Sequence, residues 1–149
     1  MASKEYFEEN FKDKLANGGS VSYVVSKGAF ESFKTTKSND YTLSREDAIK
    51  TIVDNLSLDD MIVSTTGKAS RELFEYREEK GQGHSNDFLT VGSMGHSSSI
   101  ALSIALNHKN RRILCFDGDG ALLMHMGSMA LVGANKPKNY YHVLFNNEA

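Results

Sequence analysis

The sequence predicts an α/β fold in which a mainly parallel sheet carries helices on both faces. Two patterns support this fold class. Short apolar runs alternate with segments of helical periodicity from about residue 44 to the end of the chain, which is typical of consecutive strand–helix–strand units. The strand runs are also almost continuously apolar, as expected for strands that are covered on both faces.

The amino-terminal part predicts a helix, a short strand and a linker. Residues 4–16 place large apolar side chains at fourfold spacing, and an Asn-Gly-Gly sequence follows that ends the helix. Residues 21–25 are rich in valine and predict a strand. Residues 33–43 are mostly polar and without periodicity, so we interpret them as a linker.

A second helix opens the main part of the chain. Ser44 is its predicted N-cap, because Asp47 follows three residues later and an apolar stripe comes next. Four strands and three helices then alternate, and connections of this length join parallel strands. The predicted strands are residues 61–63, 88–91, 113–116 and 140–145, and the predicted helices are residues 68–80, 95–106 and 122–132.

The composition is that of an ordinary globular protein and argues against several functions. The 149 residues suffice for one buried core, and a formal net charge of −2 gives no basic surface for nucleic acid. No apolar run approaches the roughly 20 residues of a transmembrane helix, and the first residues do not form a signal peptide. Cys115 is the single cysteine, which predicts a reducing, cytoplasmic location.

Polar segments, most of them containing glycine, follow the predicted strands. They are residues 64–68, 92–95 and 117–120, and the last strand runs into Asn146 and Asn147. In open parallel sheets the carboxyl ends of the strands meet at one edge, where ligands bind. The sequence therefore predicts one binding site that is built from these four segments.

The segment Asp117-Gly118-Asp119-Gly120 indicates a divalent cation. Glycine lets a ligand approach the backbone closely, and a helix that begins near Ala121 would direct free N–H groups at an anion. A carboxylate beside a bound phosphate requires a cation between the two, and Mg²⁺ prefers such oxygen ligands. An isolated Gly-Asp-Gly is more often an ordinary turn, so a second signal is needed.

Paired amides supply this second signal. Residues 121–145 are long enough for one helix and one returning strand, so Asn146 and Asn147 should lie one strand away from Asp119. Gly-Asp-Gly followed at this distance by Asn-Asn resembles the cofactor signature of thiamine-diphosphate enzymes, such as pyruvate decarboxylase and acetolactate synthase. The resemblance implies the thiamine-diphosphate-binding fold, with thiamine diphosphate and Mg²⁺ as cofactors.

The resemblance also implies roles for individual residues. The metal ligands would be the carboxylate of Asp119, the side chain of Asn147 and the main-chain carbonyl of Ala149. Many relatives have serine where this chain has Ala121, so one hydroxyl contact to the diphosphate is missing while the backbone N–H remains. The residues expected to contact the cofactor in this half of the signature are Gly118, Asp119, Gly120, Ala121 and Asn147.

The segment around Met94 carries an independent part of the resemblance. In the family a large apolar side chain in this loop separates the two rings of the cofactor and bends it, and Met94 fits that role. The carbonyl of Gly92 would accept a hydrogen bond from the 4′-amino group of the cofactor, with Ser93 between the two contacts. A lone methionine is more often part of the core, but a position between glycines in a loop favours the cofactor role.

A third segment combines Thr66, Gly67 and Lys68 with Arg71. It could bind an anion, either the diphosphate of the cofactor or a phosphonate substrate. Cations in the first turn of a helix are disfavoured by the helix dipole, and an anionic ligand would compensate for this. A solvated helix face is an equally good interpretation. His96 lies near the predicted site, and its role stays open.

Longer stretches are similar to phosphonopyruvate and sulfopyruvate decarboxylases. They are residues 66–73, 92–96, 117–127 and 145–149. The similarity implies the non-oxidative decarboxylation of phosphonopyruvate to phosphonoacetaldehyde and CO₂ by the intact enzyme. Sulfopyruvate, another 2-oxoacid or an acetolactate-synthase-like reaction are the alternatives.

The resemblance further implies a truncated part of a longer enzyme. Family members bind the cofactor between two domains. Residues 1–32 resemble only the end of the pyrimidine-side domain, 33–43 form the linker, and 44–149 form a diphosphate-binding domain that stops inside the metal loop. The activating glutamate is expected on a pyrimidine-side domain of the same or another subunit, the intact enzyme is expected to be a homo-oligomer, and this chain alone is expected to be inactive.

Two other interpretations stay open from the sequence. Asp117-x-Asp119-Gly120 also matches phosphatases in which the first aspartate is the nucleophile, although those enzymes have Thr or Ser at the next position. A non-catalytic subunit module that keeps the fold is the second alternative.

Overall fold

A computed structural model describes residues 4–22, 24, 26, 28, 29 and 41–146 of the protein. The chain divides into two compact units, Met1–Asp40 and Tyr41–Ala149. The division lies inside the segment that the sequence predicts as a linker, while the domain assignments on either side of it stay predictions. Over the part of the chain that the structure describes, no helix combines the length and the apolarity that a membrane span requires.

The first unit contains helix α1, Lys4–Ala16, over the predicted residues. The helix ends where Gly18 adopts a φ of 77° and the N–H of Gly19 donates to the carbonyl oxygen of Lys14 at 2.8 Å. Residues 21, 22 and 24 of the predicted strand are not in a strand, and residues 23 and 25 lie outside the described residues. Valine content alone does not make a strand, because a strand also needs a hydrogen-bonded neighbour.

The described part of the second unit, residues 41–146, contains one sheet and five helices. The strands are β1 Met61–Ser64, β2 Asp87–Leu89, β3 Ile113–Gly118 and β4 Tyr140–Phe145. The helices are α2 Arg45–Asp54, α3 Lys68–Lys80, α4 Ser97–Asn107, α5 Asp119–Met124 and α6 Ser128–Asn135. All pairings are parallel and the strand order is β2-β1-β3-β4, which confirms the predicted fold class.

Apolar side chains cover both faces of this sheet. Successive side chains of each strand point to opposite faces, so the two sides bury different residues. The cluster on the α2 and α3 side comprises Ile49, Val53, Ile62, Ala69, Leu73, Tyr76, Leu114 and Phe116. The cluster on the α4 side comprises Val63, Ala101, Ala105, Ile113 and Cys115.

Local signals set the helix ends that the sequence predicts correctly. The hydroxyl of Ser44 accepts a hydrogen bond from the N–H of Asp47 at 3.0 Å and caps α2. Gly81, with a φ of 63°, ends α3 in the left-handed conformation. These two helices therefore begin and end through contacts between near neighbours in the sequence.

The single helix predicted over residues 122–132 is wrong, because α5 and α6 are separate helices. A Cβ added to Gly95 would lie 2.8 Å from the carbonyl oxygen of Ala121, so the loop before α4 packs directly on α5. The hydroxyls of Ser98 and Ser128 share a buried hydrogen bond of 2.7 Å that anchors the start of α6 on α4. These tertiary contacts interrupt a segment whose local sequence favours one helix.

Three other strand and helix ends differ from the prediction by two residues. Strand β2 ends at Leu89 rather than residue 91, because its only neighbour ends at the register partner Ser64. Helix α4 begins at Ser97, since Gly95 has a φ of 90° that no α-helix accepts. Strand β3 continues two residues further, to Gly118, and this places Asp119 rather than Ala121 at the start of the next helix.

Candidate functional site

The carboxyl ends of the strands bring the predicted polar segments to one edge. Strands β3 and β4 are neighbours, and Gly118 is the register partner of Phe145. Asp119 and Asn146 therefore begin adjacent segments of the chain. The predicted metal ligands Asn147 and Ala149 lie outside the described residues, so the proposed ligand set is described only at Asp119.

Hydrogen bonds fix the first loop, residues 65–67, against its neighbours. The N–H of Thr65 donates to the carbonyl of Phe116 at 2.8 Å, and the hydroxyl of Thr66 donates to the carbonyl of Val91 at 2.9 Å. The hydroxyl of Ser70 donates to the carbonyl of Thr65 at 2.6 Å. The loop is thus held by β3, by the loop after β2 and by α3.

The second loop holds Met94 between two residues in left-handed conformations. Ser93 has a φ of 52° and Gly95 a φ of 90°, and the conformation of Ser93 is strained for a residue with a side chain. Met94 is 42% exposed and lines a cavity, so it is not a core residue. The backbone strain therefore directs a large apolar side chain away from the core.

A cavity of about 220 Å³ lies where these loops meet. It takes residues from the loops after β1 and β2, from the starts of α2, α3 and α5, and from the ends of β3 and β4. The lining residues are Arg45, Thr65, Thr66, Lys68, Ala69, Met94, Asp117, Gly118, Asp119, Gly120, Ala121 and Phe145. Among the predicted cofactor contacts, Gly67 lines a neighbouring cavity, and Gly92 and Ser93 flank Met94 without lining the cavity.

Gly118 and Gly120 have no role in the packing of the protein that requires glycine. Neither residue has a positive φ, and a Cβ added to either would meet no atom within 4 Å. Gly120 is also within a helix, where glycine is less favourable than alanine by about 1 kcal/mol. The absence of both side chains keeps open a space that the protein itself does not fill.

The charged side chains around the cavity differ in whether they have a partner of opposite charge. The half-buried carboxylate of Asp119 and the ammonium group of Lys68 have no ion-pair or hydrogen-bond partner among the described residues. Arg45 instead makes a bidentate pair with Glu72, at 2.8 Å and 2.6 Å, and this hydrogen bonding raises the pKa of Arg45. Lys68 is therefore free to bind an anion, whereas Arg45 is already neutralised.

The segment that contains Lys68 and Arg71 serves two cavities. Arg71 lines a second cavity of about 330 Å³, together with Gly67 and the apolar side chains of Phe74, Leu89 and Val91. Thr66 lines both cavities. Lys68 and Arg71 thus line different cavities, and anion binding by this segment stays a prediction.

Asp117 is completely buried at the end of β3. One carboxylate oxygen accepts a hydrogen bond from the N–H of Gly118 at 3.1 Å, and the other lies 3.2 Å from Nε2 of His142 on β4. A nucleophile must reach its substrate, and a carboxylate that is buried and bonded on both oxygens does not. The structure therefore argues against the phosphatase interpretation.

The single thiol lies beside Asp117 on the same face of β3. Burial and the neighbouring charge of Asp117 raise the pKa of Cys115 from 9.0 to about 12. Burial also raises the pKa of Tyr140, whose hydroxyl lies near the thiol. Both groups are therefore neutral at physiological pH, and the thiol is a poor nucleophile.

His96 does not line the cavity. Its ring stacks on that of His125 with centroids 4.7 Å apart, and its Nδ1 lies 3.2 Å from the carbonyl oxygen of Ser93. The contact links the second loop to the end of α5. His96 thus packs between the second loop and the end of α5 and is not among the residues that line this cavity.

Two features of this site were not predicted from the sequence. Arg45 lines the cavity but belongs to no motif, and the Asp117–His142 pair joins two strands that are distant in sequence. The histidine could have been found from β4 itself, because a polar residue in an otherwise apolar parallel strand is unexpected. Its partner could not, since the register of β3 and β4 is a property of the fold.

The residues present fit a magnesium-bound diphosphate. A lone carboxylate supplies a hard oxygen ligand, and Lys68 supplies an uncompensated positive charge. The hydroxyl of Thr65 is buried without a hydrogen-bond partner among the described residues. Together with the space above Gly118 and Gly120, this donor set matches an anion that carries its own cation.

Comparisons with known proteins agree with this geometry. Residues 65–149 match the family described as thiamine pyrophosphate enzyme, C-terminal TPP binding domain. The sulfopyruvate decarboxylase subunit beta of Methanocaldococcus jannaschii is 40% identical over 105 residues, which are 70% of this chain and 53% of that protein. The phosphonopyruvate decarboxylase of Streptomyces viridochromogenes is 40% identical over 100 residues, which are 67% of this chain and 24% of that protein.

A third relative shows a similar identity and a similar coverage of this chain. The phosphonopyruvate decarboxylase of Streptomyces hygroscopicus is 37% identical over 112 residues, which are 75% of this chain and 26% of that protein. This chain thus spans about half the length of the beta subunit and about a quarter of the phosphonopyruvate decarboxylases. The matched family region contains the loop 65–67, the segment around Met94, residues 117–120 and Asn146, and the chain belongs to the thiamine pyrophosphate enzyme family through its C-terminal TPP-binding domain.

Proposed function

We propose that this chain is the diphosphate- and magnesium-binding part of a 2-oxoacid decarboxylase whose substrate is phosphonopyruvate. The observation that carries the proposal is the cavity in which Asp119, Lys68 and Met94 surround two glycines that the fold itself does not require. Relatives that act on phosphonopyruvate by name support the substrate. Thiamine diphosphate supplies the electron sink that such a decarboxylation needs.

The residues of this chain bind and orient the cofactor. Asp119, with Asn147 and the carbonyl of Ala149, holds Mg²⁺ against the diphosphate. Lys68 and the backbone N–H groups at Gly120 and Ala121 balance the remaining negative charge. Holding one end of a cofactor in a fixed place lowers the entropic cost of bringing the substrate to its reactive end.

Met94 and the backbone around it position the ring end of the cofactor. The side chain separates the two rings, and the carbonyl of Gly92 accepts a hydrogen bond from the 4′-amino group. The left-handed conformations of Ser93 and Gly95 support this role, because they present Met94 to the cavity. A rigid apolar side chain can fix the shape of a flexible cofactor without adding charge.

A second polypeptide segment completes the active site. A pyrimidine-side domain, on the same chain or on another subunit, provides the activating glutamate, and the relative named as a subunit beta supports a separate subunit. Leu123, Met124 and Met126 on and after α5 are 58–70% exposed, and such a patch is typical of an interface. The free buried thiol of Cys115 fits a cytoplasmic enzyme.

Sulfopyruvate is the second candidate substrate. The beta subunit from Methanocaldococcus jannaschii is as similar to this chain as one of the phosphonopyruvate decarboxylases, at 40% identity. Both substrates are 2-oxoacids with a second strongly acidic group, so one cofactor-binding part can serve either. The choice between them depends on residues that contact the second acidic group.

Calorimetry tests the cofactor part of this proposal. We expect thiamine diphosphate to bind the chain in the presence of Mg²⁺, and thiamine without its diphosphate not to bind. Omitting Mg²⁺ or replacing Asp119 with alanine should abolish the heat of binding. Binding of thiamine diphosphate that is independent of both Mg²⁺ and Asp119 would refute the proposed site.

Release of CO₂ tests the activity and the substrate. The chain alone should be inactive, and the chain together with its pyrimidine-side partner should decarboxylate phosphonopyruvate faster than sulfopyruvate. Turnover by the purified chain alone would contradict the assignment of the activating glutamate to another segment. A preference for sulfopyruvate would keep the cofactor site and correct the substrate.

A further inference from the structure

A buried carboxylate and a histidine lie shortly before the two segments, beginning at Asp119 and Asn146, that are proposed to bind magnesium. Asp117 is 0% exposed, and removing a charge from water is costly unless it is well paired. Its partners among the described residues are the N–H of Gly118 at 3.1 Å and Nε2 of His142 at 3.2 Å. His142 is therefore the side chain that compensates this buried carboxylate.

The two residues connect β3 and β4, the strands that lead to Asp119 and Asn146. Asp117 is two residues before Asp119 on the chain, and His142 is four residues before Asn146. The hydrogen bond to Gly118 fixes the peptide unit that leads into α5, where Asp119 is the first residue. The hydrogen bond between Asp117 and His142 fixes this peptide unit relative to β4. It therefore affects the distance between the segments that begin at Asp119 and Asn146.

Other groups near Asp117 do not replace the histidine. The hydroxyls of Ser97 and Tyr140 lie near the thiol of Cys115, and neither is a hydrogen-bond partner of Asp117 in the described structure. The thiol of Cys115 is a neutral group beside the carboxylate. Without His142, one oxygen of Asp117 would be buried and unpaired, and the side chain would have to turn away from Gly118.

We propose that His142 and Asp117 form a positioning pair, which holds Asp119 and the Asn146 segment at the spacing that magnesium binding requires. The inference rests on the proposed function, because it concerns the same metal site. It assigns a role at this site to His142, which would contact neither the metal nor the cofactor and would act through Asp117. Partners of this kind, behind the direct metal ligands, change metal affinity roughly 10- to 100-fold when they are replaced.

An alternative use of the same atoms is a metal site. The ligand atoms of Cys115, Asp117 and His142 lie within 4.8 Å of one another. A structural zinc site has four protein ligands, whereas three side chains of the described residues meet here, and Nε2 of His142 is already within hydrogen-bond distance of Asp117. The pair is therefore assigned as a hydrogen bond, and the metal content of the purified protein is one arm of the test.

Amide NMR of the 149-residue chain tests the positioning role. His142→Leu removes the ring donor, and His142→Gln keeps an N–H donor of similar reach. His108→Leu is the matched control, because His108 ends α4 at the opposite edge of the sheet. The two measurements are the hydrogen exchange of the Gly118 amide and the Mg²⁺ concentration that half-saturates the shifts of nearby amides with thiamine diphosphate present.

We expect His142→Leu to expose the Gly118 amide to exchange and to raise the half-saturating Mg²⁺ concentration roughly tenfold. His142→Gln and His108→Leu should stay within about twofold of the wild type. An unchanged shift of the Val63 amide, in the core of the sheet, shows that the variants are folded. Rescue by glutamine distinguishes a hydrogen bond from a requirement for bulk at this position.

Each other outcome has a definite meaning. If His142→Leu binds Mg²⁺ as tightly as the wild type, the positioning role is wrong and the proposed function stands. If the wild type itself shows no response to Mg²⁺ and thiamine diphosphate, the proposed function fails, and the Gly118 amide still shows whether the pair holds that peptide unit. Stoichiometric zinc that is lost in Cys115→Ser would overturn the inference in favour of a metal site.

Discussion

Replacing Gly120 with alanine separates what the fold requires from what the ligand requires. Gly120 is in α5, has no positive φ, and has no atom within 4 Å of an added Cβ. Alanine is more favourable than glycine within a helix by about 0.5–1 kcal/mol. We therefore expect Gly120→Ala to stabilise the protein without ligand and to raise its Tm by roughly 2–4 °C.

The same methyl group should weaken cofactor binding. Gly120 lines the 220 Å³ cavity, and the added Cβ would occupy space that the diphosphate needs. Overfilling a packed site costs about 1–3 kcal/mol, which corresponds to roughly a 5- to 150-fold increase in Kd. A variant that is more stable and yet binds worse is not expected from a general defect in folding.

Gly133 provides the matched control. It lies in α6, has no positive φ, has open space around an added Cβ and does not line the cavity. Gly133→Ala should raise the Tm by a similar amount and leave the Kd unchanged, as measured by thermal unfolding without ligand and by calorimetry with Mg²⁺ and thiamine diphosphate. If Gly120→Ala binds the cofactor within twofold of the wild type, the cavity is not the diphosphate site. If it lowers the Tm, the space above Gly120 is needed by the fold.

Three further predictions concern single groups. Asp119→Ala should abolish the Mg²⁺-dependent binding of the cofactor and change the Tm without ligand by less than about 1 °C, because its carboxylate has no partner in the described structure; a large loss of Tm would reveal a structural role. As pH rises from about 9 towards 12, the unfolded chain loses the Cys115 proton before the folded protein does. Urea denaturation should therefore show that the free energy of unfolding falls by about 1.4 kcal/mol per pH unit more in the wild type than in Cys115→Ala. Equal slopes would contradict the raised pKa. A double-mutant cycle of Arg45→Ala and Glu72→Ala should give a coupling of about 0.5–1 kcal/mol, because both side chains are partly exposed; a coupling near zero would show that the pair does not hold α2 on α3.

The sequence predicts most of the fold because its signals are local. Ser44 before Asp47 marks the start of α2, and Gly81 marks the end of α3, each through contacts within a few residues. Apolar runs that are covered on both faces predict the parallel sheet. Residue spacing also predicts that Asp119 and Asn146 begin neighbouring segments, since one helix and one strand fit between them.

The errors occur where distant contacts override local preference. The break between α5 and α6 depends on the approach of Gly95 to Ala121 and on the Ser98–Ser128 hydrogen bond. The early end of β2 depends on where its neighbour ends. Neither contact has a signature in the sequence, because both depend on the arrangement of elements in space.

The candidate site likewise combines residues that the sequence predicts with residues that it does not predict. The glycine-containing segments and Met94 are recognisable from the sequence, and most of them line one cavity. Arg45 and His142 are single residues without a motif. The place of Arg45 at the cavity requires the packing of α2 on α3, and the pairing of His142 with Asp117 requires the register of β3 and β4.

A paramagnetic ion tests the central claim most directly. In amide NMR spectra with thiamine diphosphate, Mn²⁺ in place of Mg²⁺ should broaden the signals of residues 118–121 together with those of Asn146 and Asn147. The signal of His108, at the opposite edge of the sheet, should remain sharp. Broadening of only one of the two segments, or of neither, would contradict the proposal that they hold one metal ion between them.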